Sequence, residues 1–313
     1  MPKSSIVRPI LFDQYEALLR RLPPDHPSRK KIDSDYRRYT AGHYGEESVQ
    51  YYFPLLAEHC TVLQQLRLRD TTSSHIFQID LLIATPYFLY IGEIKQMSGS
   101  LYFYPEQGQL IQDTNGEKRA FACPLSQSVR QAAFLKHKLA ELGIKDMPME
   151  AHVISSNAAA RLIVPENVAN IYHSSRLPTI IDVLFQKYSR KKVSQNALTN
   201  VLMRLKQESM EKQEDLLKRY GIDELELFYP IACKTCEGAL KRSYGTWVCC
   251  DCGEAQPDRH IEALQDLRIL LKTPVTMRVF LTLLRKPSYQ VGRRLMLPFL
   301  ERKGQLYVFK RYD

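Results

Sequence analysis

Two hydrophobic periodicities run along the chain and predict a mixed α/β protein. Short apolar or alternating runs bounded by turn residues are typical of β-strands. They cover residues 61–68, 75–84, 88–95, 100–104, 109–112 and 149–155. Apolar residues three and four apart predict helices over 12–22, 45–58, 126–142, 177–188 and 196–220. The apolar face of the helix over 126–142 comprises Val129, Ala132, Ala133, Leu135 and Leu139.

The order of these elements divides the chain into five parts. Helix, three strands, helix and strand follow one another over residues 44–190, which favours a single α/β domain of ordinary size. Residues 1–43 are polar and are expected to be an irregular extension with one short helix. Residues 191–230 are predicted to be a helical linker. Residues 231–256 contain most of the cysteines, and residues 257–313 form a basic terminal module.

The basic terminal module has the element order of a winged helix-turn-helix. Helices are predicted over 261–271, 276–284 and 289–300, followed by a strand over 305–310, and Ser288 is a suitable N-cap for the third helix. The residues expected to contact nucleic acid are Gln290, Arg293 and Arg294 in a groove and Lys303, Lys310 and Arg311 near phosphates. The alternative is a small helical module whose arginines are only solvated.

Composition and charge indicate a soluble protein with a polyanionic partner. The chain has 313 residues, of which 44% are hydrophobic and 25% charged, and its formal net charge is +10. Residues 258–313 hold twelve Lys and Arg against five Asp and Glu, so the basic excess is local. DNA is the expected partner, and RNA is an alternative. Without a bilayer-length apolar run or a secretory signal pattern, we expect a cytoplasmic protein with no membrane contact.

Two acids and one lysine stand on otherwise apolar strands. Asp80 lies within one run, and Glu93 and Lys95 are two apart on the next, so they share a face. If the strands are antiparallel neighbours joined at residues 85–87, Asp80 lies close to Glu93. Asp80, Glu93 and the carbonyl of Ile94 would then suit Mg²⁺ or Mn²⁺, with Lys95 orienting a water or stabilising charge during phosphodiester hydrolysis. The alternative is a surface ion pair on a solvated strand.

The segment 42–142 contains four short motifs in a defined order. They are Gly45-Glu46 with Val49, QIDLLI at 78–83, YIGEIK at 90–95 with Ser98-Gly99, and CPLSQ at 123–127. With these motifs, about a third of the chain resembles the nuclease-related domain (NERD) family, whose fold is related to PD-(D/E)xK restriction-endonuclease-like enzymes.

The resemblance implies a restriction-endonuclease-like core in which a mixed sheet is flanked by helices. It implies that Asp80, Glu93 and Lys95 form the catalytic core of a Mg²⁺-dependent nuclease. It adds Glu46 as a further acid and Gln127 as a polar partner carried by a helix. Without the resemblance, Glu46 is equally consistent with an exposed helix acid, whereas a glutamine at the position of Gln127 is ordinarily a solvated helix residue.

The cysteine spacing predicts a structural metal site. Cys233 and Cys236 form one CxxC pair, Cys249 and Cys252 form a second, and twelve residues separate the pairs. Four thiolates suit tetrahedral Zn²⁺ and leave no open position for catalysis, and two such pairs make a redox role less favoured. A hairpin between the pairs would complete a zinc ribbon, with Cys250 as a spare thiol. Trp247 would pack over the ribbon or, alternatively, stack on a nucleobase.

Taken together, these features favour a Mg²⁺-dependent nuclease that acts on DNA, in DNA processing or repair. The α/β domain would cut, while the ribbon and the basic module would hold the substrate. The main alternative is a non-catalytic nucleic-acid-binding protein that retains a nuclease fold. A third possibility is a structural partner in a larger complex, docked through the helix over 196–220. The simpler interpretation of that helix is a spacer.

Overall fold

A computed structural model describes residues 8–70, 75–227, 231–271, 276–283, 288–303 and 306–309. These residues form two compact units. The larger unit is Tyr39–Glu211, and the smaller unit combines Met1–Arg38 with Lys212–Asp313. The predicted extension 1–43 therefore divides between the two units, and most of it groups with the C-terminal part of the chain.

The strands and helices are numbered in chain order. The strands of the larger unit are β1 Thr61–Arg69, β2 Ile76–Ala84, β3 Leu89–Lys95, β4 Ser100–Tyr104, β5 Gln109–Thr114, β6 Glu117–Ala122, β7 Met149–Ser155, β8 Arg161–Ile163 and β9 Ile171–His173. The later strands are β10 Leu240–Ser243, β11 Thr246–Cys249, β12 Leu300–Lys303 and β13 Leu306–Phe309. The helices are α1 Ile10–Arg21, α2 Arg29–Ser48, α3 Pro124–Glu141, α4 Leu177–Lys187, α5 Gln195–Glu208, α6 Leu216–Tyr220, α7 Arg259–Leu270, α8 Met277–Leu283 and α9 Tyr289–Met296. Short 3₁₀ helices cover Val49–Leu55, Ser174–Arg176 and Glu224–Glu226.

A five-stranded mixed sheet forms the centre of the larger unit. Its order is β1-β2-β3-β7-β9, with antiparallel pairing from β1 to β3 and parallel pairing of β7 with β3 and with β9. Apolar residues of α3 and α5 cover one face, and those of α4 and the 3₁₀ helix Val49–Leu55 cover the other. Both faces are buried, which accounts for the near-continuous apolar runs of β2 and β3. The predicted mixed sheet flanked by helices is confirmed.

A second sheet of four strands has the order β6-β5-β4-β8. Leu101, Phe103 and Leu110 of this sheet pack with Val153 and Ile171 of the central sheet. The sequence predicted β4 and β5 but missed β6, β8 and β9. All six residues of β6 are exposed and the other two strands have only three residues each, so none has a readable hydrophobic period.

The helix before the central sheet differs from the prediction. Instead of one helix over 45–58, α2 begins at Arg29 and ends at Ser48, and a 3₁₀ helix containing Pro54 follows. Ile32 and Ala41 are the only aliphatic residues of α2, so the helix has no apolar stripe to detect. The expectation that residues 1–43 are irregular apart from one short helix was therefore wrong.

The predicted helix over 196–220 is two helices, α5 and α6, with a non-helical segment between them. The segment contacts the open edge of β1, where the Arg67 amide donates to Ser209 Oγ at 3.1 Å and the Met210 amide donates to the Arg67 carbonyl at 2.9 Å. An edge strand offers free backbone groups. Hydrogen bonding to that edge therefore replaces the helical bonds that local periodicity favoured.

Two glycines of α2 provide a test of how closely this helix packs. A Cβ at Gly45 would lie 2.5 Å from Gln96 Cβ and 2.7 Å from Ser156 Oγ, whereas a Cβ at Gly42 would meet nothing within 4 Å. We expect Gly45→Ala to lower the free energy of unfolding by about 1–3 kcal/mol through overpacking. Gly42→Ala should raise it by about 0.5–1 kcal/mol, because alanine favours the helix. Denaturant unfolding measures both, and equal shifts would contradict the close approach at Gly45.

In the smaller unit, α1 packs against α7. The guanidinium groups of Arg20 and Arg21 lie 2.7 and 2.8 Å from the two oxygens of Asp266, whose side chain is buried. Strands β10 and β11 form an antiparallel hairpin, and β12 and β13 form another. The predicted order of three helices followed by a β element is present, but the β element is a hairpin whose first strand, β12, was not predicted. The winged-helix assignment stays a prediction. None of the helices in the described ranges is long and apolar enough to span a bilayer.

Candidate active site and cysteine cluster

The central sheet opens at the predicted acids. Pairing between β2 and β3 runs from Ala84 opposite Leu89 to Leu81 opposite Gly92. The same register places Asp80 opposite Glu93, but the ladder does not continue there. Instead, the backbone amide of Ile94 donates to Asp80 Oδ2 at 3.1 Å. The two strands are thus the antiparallel neighbours that the sequence predicted, and Asp80 lies beside the segment that carries Glu93 and Lys95.

Glu93 is the most buried acid of this group and has two side-chain donors. Its side chain is 2% exposed, and Lys95 Nζ donates to its Oε1 at 2.5 Å. Gln131 Nε2 donates to its other oxygen at 2.8 Å. Lys95 keeps part of its side chain accessible to solvent. The Glu93 carboxylate is therefore held in one orientation, and the Lys95 ammonium stands at the edge of the site.

The ionised form of Asp80 is disfavoured by its surroundings when no cation is bound. Its side chain is 6% exposed, and burial raises its pKa well above the ordinary value. Repulsion from Glu93 and Glu46 raises this pKa further, while the Ile94 amide and the Lys95 ammonium lower it in part. Glu46, from α2, is thus close enough to act on Asp80, while its catalytic role stays a prediction. Three acids and one ammonium converge at the opening of the sheet.

Sequence reasoning missed Gln131. Its side chain on α3 is 3% exposed, and its Nε2 donates to the Gln78 carbonyl at 2.7 Å as well as to Glu93. Its Oε1 is buried without a hydrogen-bond partner among the described residues. Gln127, one turn earlier, is only half-buried and takes no part in these bonds. The apolar pattern placed Val129 on the buried face, but Val129 is 54% exposed, so the helix is rotated towards Gln131.

Gln65 is a second residue that the sequence did not reveal. It lies on β1 between residues paired with Leu81 and Ile79, at the level of Asp80, and its φ of 53° is in the left-handed region. Such a conformation costs about 1–2 kcal/mol for a residue other than glycine. Its Nε2 donates to Glu46 Oε2 at 2.9 Å. The distortion therefore places an amide donor on the third acid.

The alternation of side chains along β2 also shifts, at the level of Gln65. Ile79 and Leu82 both pack towards α3 and α5, although a regular strand would place them on opposite faces, and Leu81 packs towards α4. The shift occurs at Asp80, the residue between the two regular stretches. An aspartate within a buried apolar strand is accommodated because the strand departs from its pleat at that position.

The four predicted cysteines form a cluster in the smaller unit. The Sγ atoms of Cys233, Cys236, Cys249 and Cys252 all lie within 4.8 Å of one another. Two pairs approach more closely, at 3.7 Å for Cys233 with Cys252 and 3.4 Å for Cys236 with Cys249. Sulfurs bound tetrahedrally at the usual zinc distance lie about 3.8 Å apart. The cluster thus has the size and composition of a structural metal site.

The surroundings of the cluster match two further predictions. Cys250 is exposed and stands outside the group of four. Trp247 is only 2% exposed, and its Nε1 lies 3.4 Å from Nδ1 of His260, to which it donates. Trp247 therefore packs inside the module, and its ring does not face solvent where a nucleobase would bind.

The basic residues proposed to contact nucleic acid fall into two groups. Gln290, Arg293 and Arg294 are exposed on α9, and Ser288 caps this helix by accepting from the Val291 amide at 3.4 Å. The helix ends at Met296 and not at residue 300, where β12 begins instead. The side chain of Lys303, and Lys310 and Arg311 altogether, lie outside the described residues.

Comparison with known proteins supports the assignment of the larger unit. The family model of the nuclease-related domain matches residues 41–156, a span that contains Glu46, Asp80, Glu93, Lys95 and both glutamines of α3. No curated protein and no solved structure matches the chain at a significant level. The family match covers the segment in which the acids and the lysine converge. Residues 41–156 of this chain are therefore similar to the nuclease-related domain.

Proposed function

We propose that this protein is a Mg²⁺-dependent nuclease that hydrolyses phosphodiester bonds in DNA, in DNA processing or repair. The observation that carries the proposal is the convergence of Asp80, Glu93, Glu46 and Lys95 at the opening of the central sheet, inside the nuclease-related domain. A buried group of acids that repel one another is costly unless it binds a cation.

The residues present fit a hard divalent cation. Three carboxylates supply the oxygen ligands that Mg²⁺ prefers, and Mg²⁺ binds through one or two of them while keeping several waters. A cation there would offset the repulsion that raises the pKa of Asp80. Asp80 and Glu93 would hold the ion, and the carbonyl of Ile94 stays a predicted ligand. Bound Mg²⁺ supplies Lewis acidity and a more acidic water.

The side chains around the acids position the reacting groups. The Ile94 amide and Gln78 Nε2, the latter at 3.3 Å, orient the two oxygens of Asp80. Lys95 orients Glu93, and its partly exposed side chain would be accessible to an incoming phosphodiester. There it stabilises the negative charge that develops on the phosphoryl oxygens. Lys95 therefore has two roles, one on Glu93 and one on the substrate.

The proposal is tested by cleavage of supercoiled plasmid, linear duplex and single-stranded oligonucleotides. Reactions with Mg²⁺, with Mn²⁺ and with Ca²⁺ are compared with reactions lacking a divalent cation. We expect cleavage of DNA in Mg²⁺ or Mn²⁺ and little in Ca²⁺ or without metal. A parallel RNA substrate tests the alternative partner. Cleavage at the same rate without any divalent cation would contradict the metal site.

The second candidate function is binding without catalysis. It is favoured by the basic excess of residues 258–313, which contributes to association and not to hydrolysis. Here the nuclease-related domain would only position nucleic acid, and the exposed Gln290, Arg293 and Arg294 of α9 would contact it. Salt-sensitive binding with no cleavage in any metal would support this function over the first.

We also propose that the cysteine cluster holds structural Zn²⁺. Four thiolates within 4.8 Å of one another close the coordination sphere, and the β10–β11 hairpin between the two CxxC pairs completes a zinc ribbon. The ribbon then depends on the ion for its fold, as expected for so short a segment.

Gln131 should matter more to cleavage than Gln127. Gln131→Leu removes the amide that orients Glu93, and partners of metal ligands commonly contribute about 10- to 100-fold in metal affinity or activity. We expect a loss of this size for Gln131→Leu, with a higher Mg²⁺ concentration needed for half-maximal rate. Gln127→Leu is the matched comparison on the same helix. A larger loss at Gln127 would support the role implied by the family resemblance and contradict the one inferred from the hydrogen bonds.

A further inference from the structure

The tip of the β10–β11 hairpin carries an aromatic residue in a conformation that disfavours it. Ser243 pairs with Thr246, so Tyr244 and Gly245 form a two-residue turn, and both have positive φ, at 46° and 85°. Such turns favour Asn, Asp or Gly at the first position, and a bulky residue there is an outlier. Tyr244 is also fully exposed. Neither turn chemistry nor packing accounts for a tyrosine at this position.

Beside the turn lies a guanidinium that is held in place. Arg242 Nη2 donates to the Gly245 carbonyl at 3.0 Å, and its Cζ lies 5.3 Å from the centre of the buried Trp247 ring. These two contacts orient the cation next to Tyr244 before any ligand arrives. Preorganised groups lose less conformational entropy on binding.

A second arginine adds to this positive charge. Arg294 of α9 is close enough to lower the pKa of Arg242, after the larger effect of burial. In the described part of the chain, neither arginine forms an ion pair with an acid. The sequence from 267 to 300 contains no Asp or Glu, and neither does the hairpin from 238 to 250. Two cations that repel each other without a compensating acid favour a polyanion.

We infer that Arg242, Tyr244 and Arg294, here called the ribbon-tip surface, bind single-stranded nucleic acid, with Tyr244 stacking on an unpaired base. Exposed aromatic rings combined with basic side chains are the general means of binding single strands. Bases in a duplex are already stacked on their neighbours, so a ring at a hairpin tip gains most from an unpaired base. The inference goes beyond the proposed hydrolysis and does not depend on it.

Binding is measured on the full chain carrying Asp80→Asn, without added divalent cation, so that hydrolysis cannot contribute. The probe is fluorescein-labelled oligothymidylate of about 20 nucleotides, longer than the site of one small binding module. We expect Tyr244→Asn to weaken binding about 5- to 150-fold, the range found for base-stacking aromatics. Tyr244→Phe keeps the ring and should stay within about twofold of the parent. Arg294→Gln should reduce the salt slope by about 0.7, the value for one phosphate contact on a single strand.

A binding role of Tyr244 is distinguished from a structural one by comparing the change in unfolding temperature with the change in affinity. Because asparagine suits the turn, Tyr244→Asn should leave the thermal unfolding of the ribbon, followed by Trp247 fluorescence, unchanged or at higher temperature. Its affinity should nevertheless fall, while the exposed Tyr51→Asn in the larger unit should have no effect. Oligouridylate distinguishes RNA from DNA as the natural strand.

Three outcomes would overturn the inference. The first is unchanged affinity of Tyr244→Asn for oligothymidylate. The second is an equal loss in Tyr244→Phe, which would show that the ring is not used. The third is binding to phosphatidylserine vesicles but not to oligothymidylate, which would assign the surface to a membrane instead.

Discussion

Asp80→Asn is expected to lower Mg²⁺-dependent cleavage by at least about 1,000-fold. The substitution removes one of the two predicted metal-binding carboxylates, and the charge stabilisation by a catalytic ion is worth several kcal/mol at about 1.4 kcal/mol per tenfold in rate. Lys95→Ala should cause a loss of comparable order, because the ammonium acts on both Glu93 and the substrate. Initial rates on labelled duplex DNA, at saturating Mg²⁺, measure both.

The stability of these variants distinguishes a lost site from a lost fold. Burial and two neighbouring acids raise the pKa of Asp80, so replacing it with a neutral isostere removes repulsion. Asp80→Asn should therefore unfold at the same temperature as the wild type or higher. Lys95→Ala removes the cation that compensates buried Glu93 and should unfold at a lower temperature.

A matched carboxylate control is available in the same larger unit. Asp182 is exposed on α4, so Asp182→Asn makes the same chemical change away from the opening of the sheet. It should leave the cleavage rate unchanged. Full activity in Asp80→Asn, or an equal loss in Asp182→Asn, would be incompatible with a metal site between Asp80 and Glu93.

Loss of the metal from the cysteine cluster should unfold the ribbon. The purified protein should contain about one zinc per chain, and Cys233→Ser or Cys249→Ser should reduce this content to near zero. Trp247, the only tryptophan, is buried on β11, the strand that ends at Cys249, and reports on the ribbon directly. Chelation should shift its emission to longer wavelength as the ring becomes hydrated.

Cys250→Ser is the control for this prediction. Cys250 adjoins Cys249 in sequence but stands exposed outside the cluster, so its replacement should change neither zinc content nor Trp247 emission. Absence of zinc from wild-type protein purified in reducing buffer would defeat the assignment. Loss of zinc from Cys250→Ser would show that the second pair of ligands has been chosen incorrectly.

The convergence of the main acids could be predicted because it depends on local chain geometry. Apolar β2 and β3 are separated by only a short turn, which makes them antiparallel neighbours and brings Asp80 opposite the segment with Glu93 and Lys95. The cysteine cluster was predictable for a similar reason, since a CxxC turn directs two thiolates to one point. In both cases, few residues separate the groups that meet.

The supporting residues could not be predicted, because long-range contacts position them. Gln131 reaches Glu93 only after α3 has packed on the sheet. The apolar pattern of α3 predicted the wrong rotation about the helix axis, because it placed Val129 on the buried face and Val129 is exposed. Gln65 meets Glu46 through a left-handed residue that no local signal favours.

The sequence by itself determined that this protein has a mixed α/β core, two neighbouring strands that carry two acids and a lysine, and a four-cysteine module. It could do so because hydrophobic period and ligand spacing are properties of short segments. Only the tertiary structure decided that the strands separate at Asp80, and that Glu46 acts on Asp80 where the sequence had left an exposed helix acid equally open. It also decided that the predicted helix after α4 breaks at residue 208 to contact the edge of β1. Each of these depends on which distant backbone and side-chain groups remain to be satisfied once the sheet has formed.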